Sequence, residues 1–374
     1  MLGIGIIGCG NISTAYLRLA PLFKGLEVRA VADLNLDTAR AQASAFDVRA
    51  HSVEELLAAD DIDIVVNLTI PDAHFEVTRA ILQAGKHAYS EKPIVLTQEQ
   101  GEALRALAAE KGLRVGSAPD TFLGGAHQAA RAAIDAGQIG DVVAGTAHVM
   151  NHGMEHWHPN PDFFFLPGAG PMLDIGPYYV TNLIQLLGPV ARVAALTSTP
   201  AKTREILSEP RRGEVIPVKT PTNIHALLDF ESGATITLST SWDVWAHRHG
   251  HMELYGSKGT MFLPDPNWFS GEVEVVDATG NSTMLDTNTH PFGIPNQDNH
   301  GTAKANYRTA GLADMAAAMQ DDRPHRCALE LALHAVDVMT AVLDAGEKGE
   351  VIKLSSTCQR PEPLSVDAAR ALLK

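Results

Sequence analysis

The sequence predicts two joined folds: an N-terminal, doubly wound parallel α/β sheet over residues 1–120, and an α+β domain over 121–374 built on a mainly antiparallel sheet. Three observations carry this. Short apolar runs alternate with helical segments as far as residue 117, the pattern of a parallel sheet with helices on both faces. The first run ends in a glycine turn that opens into a helix. Beyond about residue 120, strand-like runs follow one another with few helices between them, which favours antiparallel pairing.

In order, Leu2 to Ile7 (LGIGII) reads as a short buried strand, Gly8-Cys9-Gly10-Asn11-Ile12-Ser13 as the turn, and 12–23 as the first helix. Residues 28–32 form the second strand, ending at Asp33, and 61–68 (DIDIVVNL) the next, with a helical segment between them. A helix over 72–84 stops at Gly85, residues 86–90 (KHAYS) run as a strand into Glu91-Lys92-Pro93, 98–111 is an alanine- and leucine-rich helix, and 113–117 closes the sheet. In the second domain, strands are expected at 142–150, 191–198, 224–230, 234–242, 252–255 and 260–263, and helices at 172–187, 307–320 and 328–345. Residues 199–222, with four prolines, and 286–303, rich in Asn, Pro and Gly, read as surface excursions.

A chain of 374 residues that is 45% hydrophobic can bury a large core without staples. Its net charge of −15, with no Lys/Arg cluster, argues against nucleic acid or an anionic membrane as partner and leaves a small molecule. Cys9, Cys327 and Cys358 are scattered and odd in number, so neither a disulfide framework nor a zinc set is expected, and a reducing cytoplasm fits. The apolar start, Met1 to Cys9, has no basic region before it and is too short to span a bilayer; neither a signal peptide nor an anchor is expected.

The turn has a chemical use. Gly8 permits the tight bend, and Gly10, lacking a Cβ, lets the backbone at Asn11 and Ile12 approach a pyrophosphate held at the helix N-terminus. The third position of the dinucleotide fingerprint is Ser13 rather than Gly, so a plain strand-to-helix turn competes with this reading. Asp33 supports it: it ends the second strand 23 residues after Gly10, where a carboxylate would bind the adenosine ribose hydroxyls and repel a 2′-phosphate. Leu34 and Asn35 follow, with no arginine for that phosphate, so NAD is favoured over NADP. A turn-capping role is the competing reading of Asp33.

Glu91-Lys92-Pro93 then places a lysine where hydride transfer needs a cation. With GCGNIS, this tripeptide, Thr69-Ile70-Pro71 and His74, Gly168-Ala169-Gly170 leading to Asp174-Ile175-Gly176-Pro177-Tyr178, and Glu253-Leu254-Tyr255-Gly256-Ser257-Lys258-Gly259, nearly the whole chain resembles the glucose-fructose oxidoreductase / inositol dehydrogenase / rhizopine-catabolism (Gfo/Idh/MocA) family. The resemblance implies a Rossmann dinucleotide-binding domain followed by an open-faced, mainly antiparallel sheet that carries the substrate and often the oligomer interface, hence a homo-oligomer, dimer or tetramer. It implies that Lys92 contacts the nicotinamide ribose and the substrate oxygen, that a cis peptide precedes Pro93, and that Thr69, Pro71, His74 and Glu91 line the cofactor. Many relatives carry histidine where Tyr178 stands. The chain resembles the tyrosine branch, which includes glucose-fructose oxidoreductase and dimeric dihydrodiol dehydrogenase, and this argues against a histidine-based mechanism.

Asp174 and Tyr178, four apart near the start of a predicted helix, share one face and can point at one substrate. A tyrosine packed in the core beside a helix-terminal aspartate is the competing reading. The chemistry these residues suggest is hydride transfer between a sugar, polyol or sugar-derivative hydroxyl and NAD, with Lys92 polarising the oxygen, Tyr178 as acid/base and Asp174 orienting. A tyrosine titrates near pKa ~10, so a nearby cation must favour its phenolate. Two alternatives stand beside this: an NADP-dependent reductase of sugar aldehydes or dihydrodiols, and a catalytically silent dinucleotide-binding regulator.

His152, His156 and His158 cluster with Trp157, but their spacing matches no standard zinc set and hydride transfer to NAD needs no metal. His156 and Trp157 read instead as sugar-pocket residues. Phe163-Phe164-Phe165 reads as core or interface.

Overall fold

Leu2–Ile7 (β1), Leu26–Ala32 (β2), Arg49–His51 (β3), Ile64–Asn67 (β4), His87–Ser90 (β5) and Val115–Ser117 (β6) form one parallel sheet in the order β3-β2-β1-β4-β5-β6. The computed structural model describes residues 1–299 and 301–374; His300, inside the predicted 286–303 excursion, lies outside them. The helices between the strands are Asn11–Leu19 (α1), Leu36–Phe46 (α2), Val53–Ala58 (α3), Pro71–Gln83 (α4) and Gln98–Lys111 (α5). β1 and β4 read as unbroken apolar runs because both their faces are buried, with Ile4, Ile64, Val65 and Val66 fully enclosed. Strand order reverses between β1 and β4, and that crevice is where ligands of such sheets bind.

Three local expectations are corrected. α1 stops at Leu19, not at 23, because Pro21 enters a short 3₁₀ turn over Ala20–Leu22. β3 and α3 were not expected; each is short, and α3 is held by a Ser52/Glu55 capping box rather than by an apolar stripe. The helix predicted over 172–187 is two helices. Gly170–Asp174 (α7) and Gly176–Leu187 (α8) part at Ile175, since Pro177 lacks the N–H that a continuous helix would use.

In the second domain, Gly125–Asp135 (α6) precedes Val142–Met150 (β7), and α7 and α8 follow. The remaining strands are Val190–Ser198 (β8), Thr203–Glu205 (β9), Val215–Pro217 (β10), Asn223–Phe230 (β11), Thr235–Ser241 (β12), Met252–Gly256 (β13), Gly259–Leu263 (β14), Glu274–Asp277 (β15), Ser282–Met284 (β16), Gln297–Asn299 (β17), Thr302–Lys304 (β18) and Ile352–Lys353 (β19). Nine of these build one sheet, β16-β15-β14-β13-β7-β12-β11-β8-β19, antiparallel at every step except β7 with β12. Ala310–Gln320 (α9), Leu329–Lys348 (α10) and Val366–Leu372 (α11) complete the chain.

α8 is buried all round except at Tyr178, as expected of a helix hydrophobic on every side, and packs against α6 and α10. α10 also contacts β8, α5 and β6, so one helix braces both sheets. The outer face of the large sheet is left uncovered, with Leu196 76% exposed and Leu227 50% exposed. The 199–222 segment is not a bare excursion. Its β9–β10 hairpin buries Ile206, Ile216 and Val218 with Met154, Phe165 and Trp242 in a second small core, which backs the loop before α7. No helix among the described residues is long and apolar enough to cross a membrane.

Candidate active site

The crevice between β1 and β4 opens at the glycine turn. Gly8 has φ +100°, and a Cβ there would lie 2.7 Å from the Leu68 carbonyl carbon and oxygen at the end of β4, so only glycine lets the two strand ends approach. At Gly10 a Cβ would meet nothing within 4 Å. No side chain caps the start of α1 and no acidic residue stands in its first turn, which leaves a positive helix end facing an open cradle. Asp33 sits at the cradle's edge. It accepts Cys9 N at 2.8 Å and Asn35 N at 2.9 Å, one on each carboxylate oxygen, and keeps lone pairs for a further donor.

The far wall is set by Asn67, whose amide donates to His74 O and Thr78 Oγ1 while its Oδ1 accepts Thr69 N and Oγ1. His74 is buried between two carbonyls, Nδ1 2.6 Å from Pro93 O and Nε2 3.0 Å from Thr69 O. Burial pulls its pKa below the ordinary histidine value against both contacts. A neutral imidazole has one N–H to donate, so it ties the start of α4 to the Lys92-Pro93 turn rather than acting as a charge. The Lys92–Pro93 peptide is cis, as the resemblance implied.

Lys92 Nζ donates to Asp174 O at 2.6 Å and to Asp174 Oδ1 at 3.2 Å, and stands 5.1 Å from the centre of the Tyr178 ring. Burial pulls the ammonium's pKa down, but the facing Tyr178, Asp174 and Glu91 outweigh it and hold the pKa above the ordinary lysine value. Glu91 accepts the Tyr16 hydroxyl at 3.0 Å and the Lys92 backbone N–H at 3.1 Å. Behind Tyr178 lie two groups that sequence reasoning missed. The Arg308 guanidinium is held by Asn306 and Asn267; burial pulls its pKa down, and Tyr178, Asp120 and Glu91 more than offset that. Asp120 is buried at the end of β6, and burial pushes its pKa up to about 6 against the Gly311 N–H and the Arg308 charge. Its place at the C-terminal end of a parallel strand was a usable signal. Arg308, in an irregular segment, offered none.

One cleft of about 660 Å³ gathers Gly10, Asn11, Ile12, Thr69, Pro71, His74, Glu91, Lys92, Asp174 and Tyr178. Asp174 and Tyr178 reach it from two helices, not from one helical face. Trp157 lines it and is 55% exposed; His156 is exposed and does not, whereas His158 does. Phe163 and Phe164 also line it; Phe164 packs in part on the second small core, and Phe165 is buried there against Trp242. The loop carrying these rings is anchored by Arg204, which donates to Glu155 Oε1 and Asp243 Oδ1, both at 2.6 Å. Among the described residues, no set of three His, Cys, Asp or Glu side chains is placed to hold a metal ion.

Residues 2–118 match the family profile described as oxidoreductase family, NAD-binding Rossmann fold, and residues 127–262 match the GFO/IDH/MocA C-terminal domain. The chain belongs to the GFO/IDH/MocA family. Among its family relatives, the dTDP-3,4-didehydro-2,6-dideoxy-alpha-D-glucose 3-reductase of Streptomyces violaceoruber is 34% identical over 199 residues, 51% of this chain and 56% of the relative. The matched stretches cover from 38% to 56% of the first curated relatives' own length. Of solved GFO/IDH/MocA-like structures, an NAD binding oxidoreductase from Klebsiella pneumoniae superposes with a TM-score of 0.81 at 22% identity, over 95% of this chain and 99% of the other. A levoglucosan dehydrogenase solved with NADH and L-sorbose gives 0.80 at 19% identity, over 95% and 99%. What these two share with the chain is the fold.

Proposed function

We propose that the chain is an NAD-dependent oxidoreductase that moves hydride between the nicotinamide and a hydroxyl of a sugar, polyol or sugar derivative. Residues 1–120 would hold the cofactor and 121–374 the substrate. The observation that carries the reading is the Lys92 ammonium fixed on Asp174 and facing Tyr178, in the same cleft into which the glycine turn opens.

The residues present fit NAD. The open space at Gly10 and the uncapped start of α1 suit a pyrophosphate, with Asn11 and Ile12 N–H groups as donors. Asp33 would take the adenosine ribose hydroxyls and repel a 2′-phosphate; Thr69, Pro71, His74 and Glu91 would form the wall on the nicotinamide side. When bound, NAD supplies the hydride acceptor. The chain's own residues handle the charge and the proton. Lys92, held charged by its neighbours, stabilises the negative charge that develops on the substrate oxygen, assistance that is in place before reaction. Tyr178 takes the hydroxyl proton in oxidation and returns it in reduction, while Asp174 fixes the Lys92 ammonium. Trp157, Phe163 and Phe164 offer apolar faces to the C–H surfaces of a sugar ring.

A sugar-nucleotide reductase among the relatives and a sugar dehydrogenase among the fold neighbours agree in chemical class with this reading. A panel of aldoses, polyols and inositols assayed for NADH formation tests it. Turnover with at least one of them is expected; persistent inactivity of protein that binds NAD would overturn the reading in favour of a dinucleotide-binding regulator.

A further inference from the structure

The cleft holds a histidine that the chemistry above leaves unused. His158 lines it together with Lys92, Asp174 and Tyr178. Its ring stands edge-on to those of Trp157, Phe163 and Phe164, with centroids 5.3, 5.6 and 5.2 Å away and interplanar angles of 79°, 82° and 82°. The backbone is pinned on both sides: His158 N donates to Met154 O at 2.9 Å, and Ser208 Oγ donates to His158 O at 2.5 Å. Ser208 lies in the β9–β10 hairpin, and Met154 and Phe164 pack in the small core that this hairpin closes. Backbone and ring are both held, so the direction of the imidazole is set before any ligand arrives.

The tautomer is set as well. Asn160 N donates to His158 Nδ1 at 3.1 Å, so Nδ1 is the acceptor and the ring proton sits on Nε2. Among the described residues no group accepts that Nε2–H, and the atom is not sealed in the interior. Of the second domain's other side chains along the cleft, Phe163, Phe164 and Leu173 have no polar atom, Asp174 is engaged by Lys92, and Trp157 is 55% exposed. The aromatic neighbours would pack as well on a purely apolar ring. What histidine adds at this position is an aligned donor on the cleft wall.

We propose that His158 is a substrate-binding residue that sets specificity: its Nε2–H donates to an oxygen of the sugar or polyol other than the one on the reacting carbon. Lys92 and Tyr178 serve the reacting oxygen, and the rings around His158 cover the substrate's C–H faces. Substrates with a second, suitably placed oxygen are then favoured over simple alcohols, because a substrate without it leaves the N–H covered and unpaired. This rests on the reading of the cleft as a sugar or polyol oxidoreductase site, and the test separates the two.

Kinetics on a sugar or polyol that the wild-type protein oxidises are compared with those of His158→Phe, which keeps an aromatic ring but loses the N–H, and of His158→Gln, which keeps a donor. His158→Phe is expected to lower kcat/KM by about fivefold or more, chiefly through KM, with NAD affinity unchanged, and His158→Gln to lose less. Deoxy and carbocyclic analogues of the same sugar then locate the acceptor: one of them is expected to be a poorer substrate for wild type yet no poorer than the parent sugar for His158→Phe. Should His158→Phe fail to fold, the same comparison is made with His158→Ala. Unchanged kcat/KM in the folded variant, equal losses in both proteins for every analogue, or a loss of NAD affinity in place of sugar affinity overturns the role of His158 alone. Turnover of no sugar or polyol by NAD-bound wild type overturns the oxidoreductase reading, and this one with it.

Discussion

On the proposed reading, cofactor choice turns on Asp33. Its carboxylate is aligned by Cys9 N and Asn35 N at the rim of the open cradle, so a 2′-phosphate would meet a fixed negative charge. Asp33→Ser is expected to shift the NADP-to-NAD affinity ratio upward by about tenfold or more, measured by fluorescence titration of both nucleotides. Tighter binding of NADP than NAD by the unaltered protein would refute the assignment. Asp33 and Lys92 were legible in the sequence because each sits at a fixed offset from a strand end, one after β2 and the other after β5. Asp120 offered only its place after a parallel strand, because the backbone N–H groups it accepts, those of Thr309 and Gly311, lie 189 and 191 residues further on; Arg308, in an irregular segment, offered nothing. His156 shows the same limit: next to Trp157 in the chain, it is exposed and does not line the cleft.

At the scale of the element, the turn between β1 and α1 contains two glycines with different duties. At Gly10 the backbone has φ −73° and ψ −169°, which any residue can adopt, and the Cβ position is empty. Gly10→Ala is therefore expected to leave the melting temperature unchanged and to weaken NAD binding by about tenfold or more, because the methyl occupies the pyrophosphate's approach. Gly8→Ala is expected to behave differently. A positive φ and a clash with the Leu68 backbone should lower stability by about 1–3 kcal/mol, read by chemical denaturation. Equal effects of the two substitutions on melting would contradict this division. The helix break at Ile175 was visible in principle, since Gly176-Pro177 interrupts the run. The apolar pattern on either side concealed it, being consistent with one long buried helix. α6 escaped notice for a related reason: its alanines bury one face without the large side chains that make a stripe conspicuous.

At the scale of the whole molecule, the doubly wound sheet was readable because each of its buried strands announces itself locally, whereas the long-range order of the nine-stranded sheet, including its single parallel step, depends on crossovers that no local pattern encodes. Stability of the whole fold should depend on pH through buried histidines. Burial pushes His127 and His290 down to about 4 from an ordinary value of 6.5, against the carbonyls of Trp268 and Leu364. Their contribution is complete above pH 6.5 and is lost as pH falls through about 4, up to about 3 kcal/mol each. Asp120 acts oppositely: with its pKa raised from 3.8 to about 6, its contribution is present below 3.8 and lost as pH rises through about 6. Two groups oppose one, so unfolding free energy from urea titrations is expected to decline between pH 6.5 and 4, and His127→Gln to reduce that decline; a flat profile would contradict it. The proposed chemistry rests most directly on Lys92. With an active sugar and saturating NAD, the single-turnover rate of NADH formation by Lys92→Met is expected to fall by about 10²-fold or more while NAD affinity stays within a few fold of wild type; an undiminished rate would contradict the account.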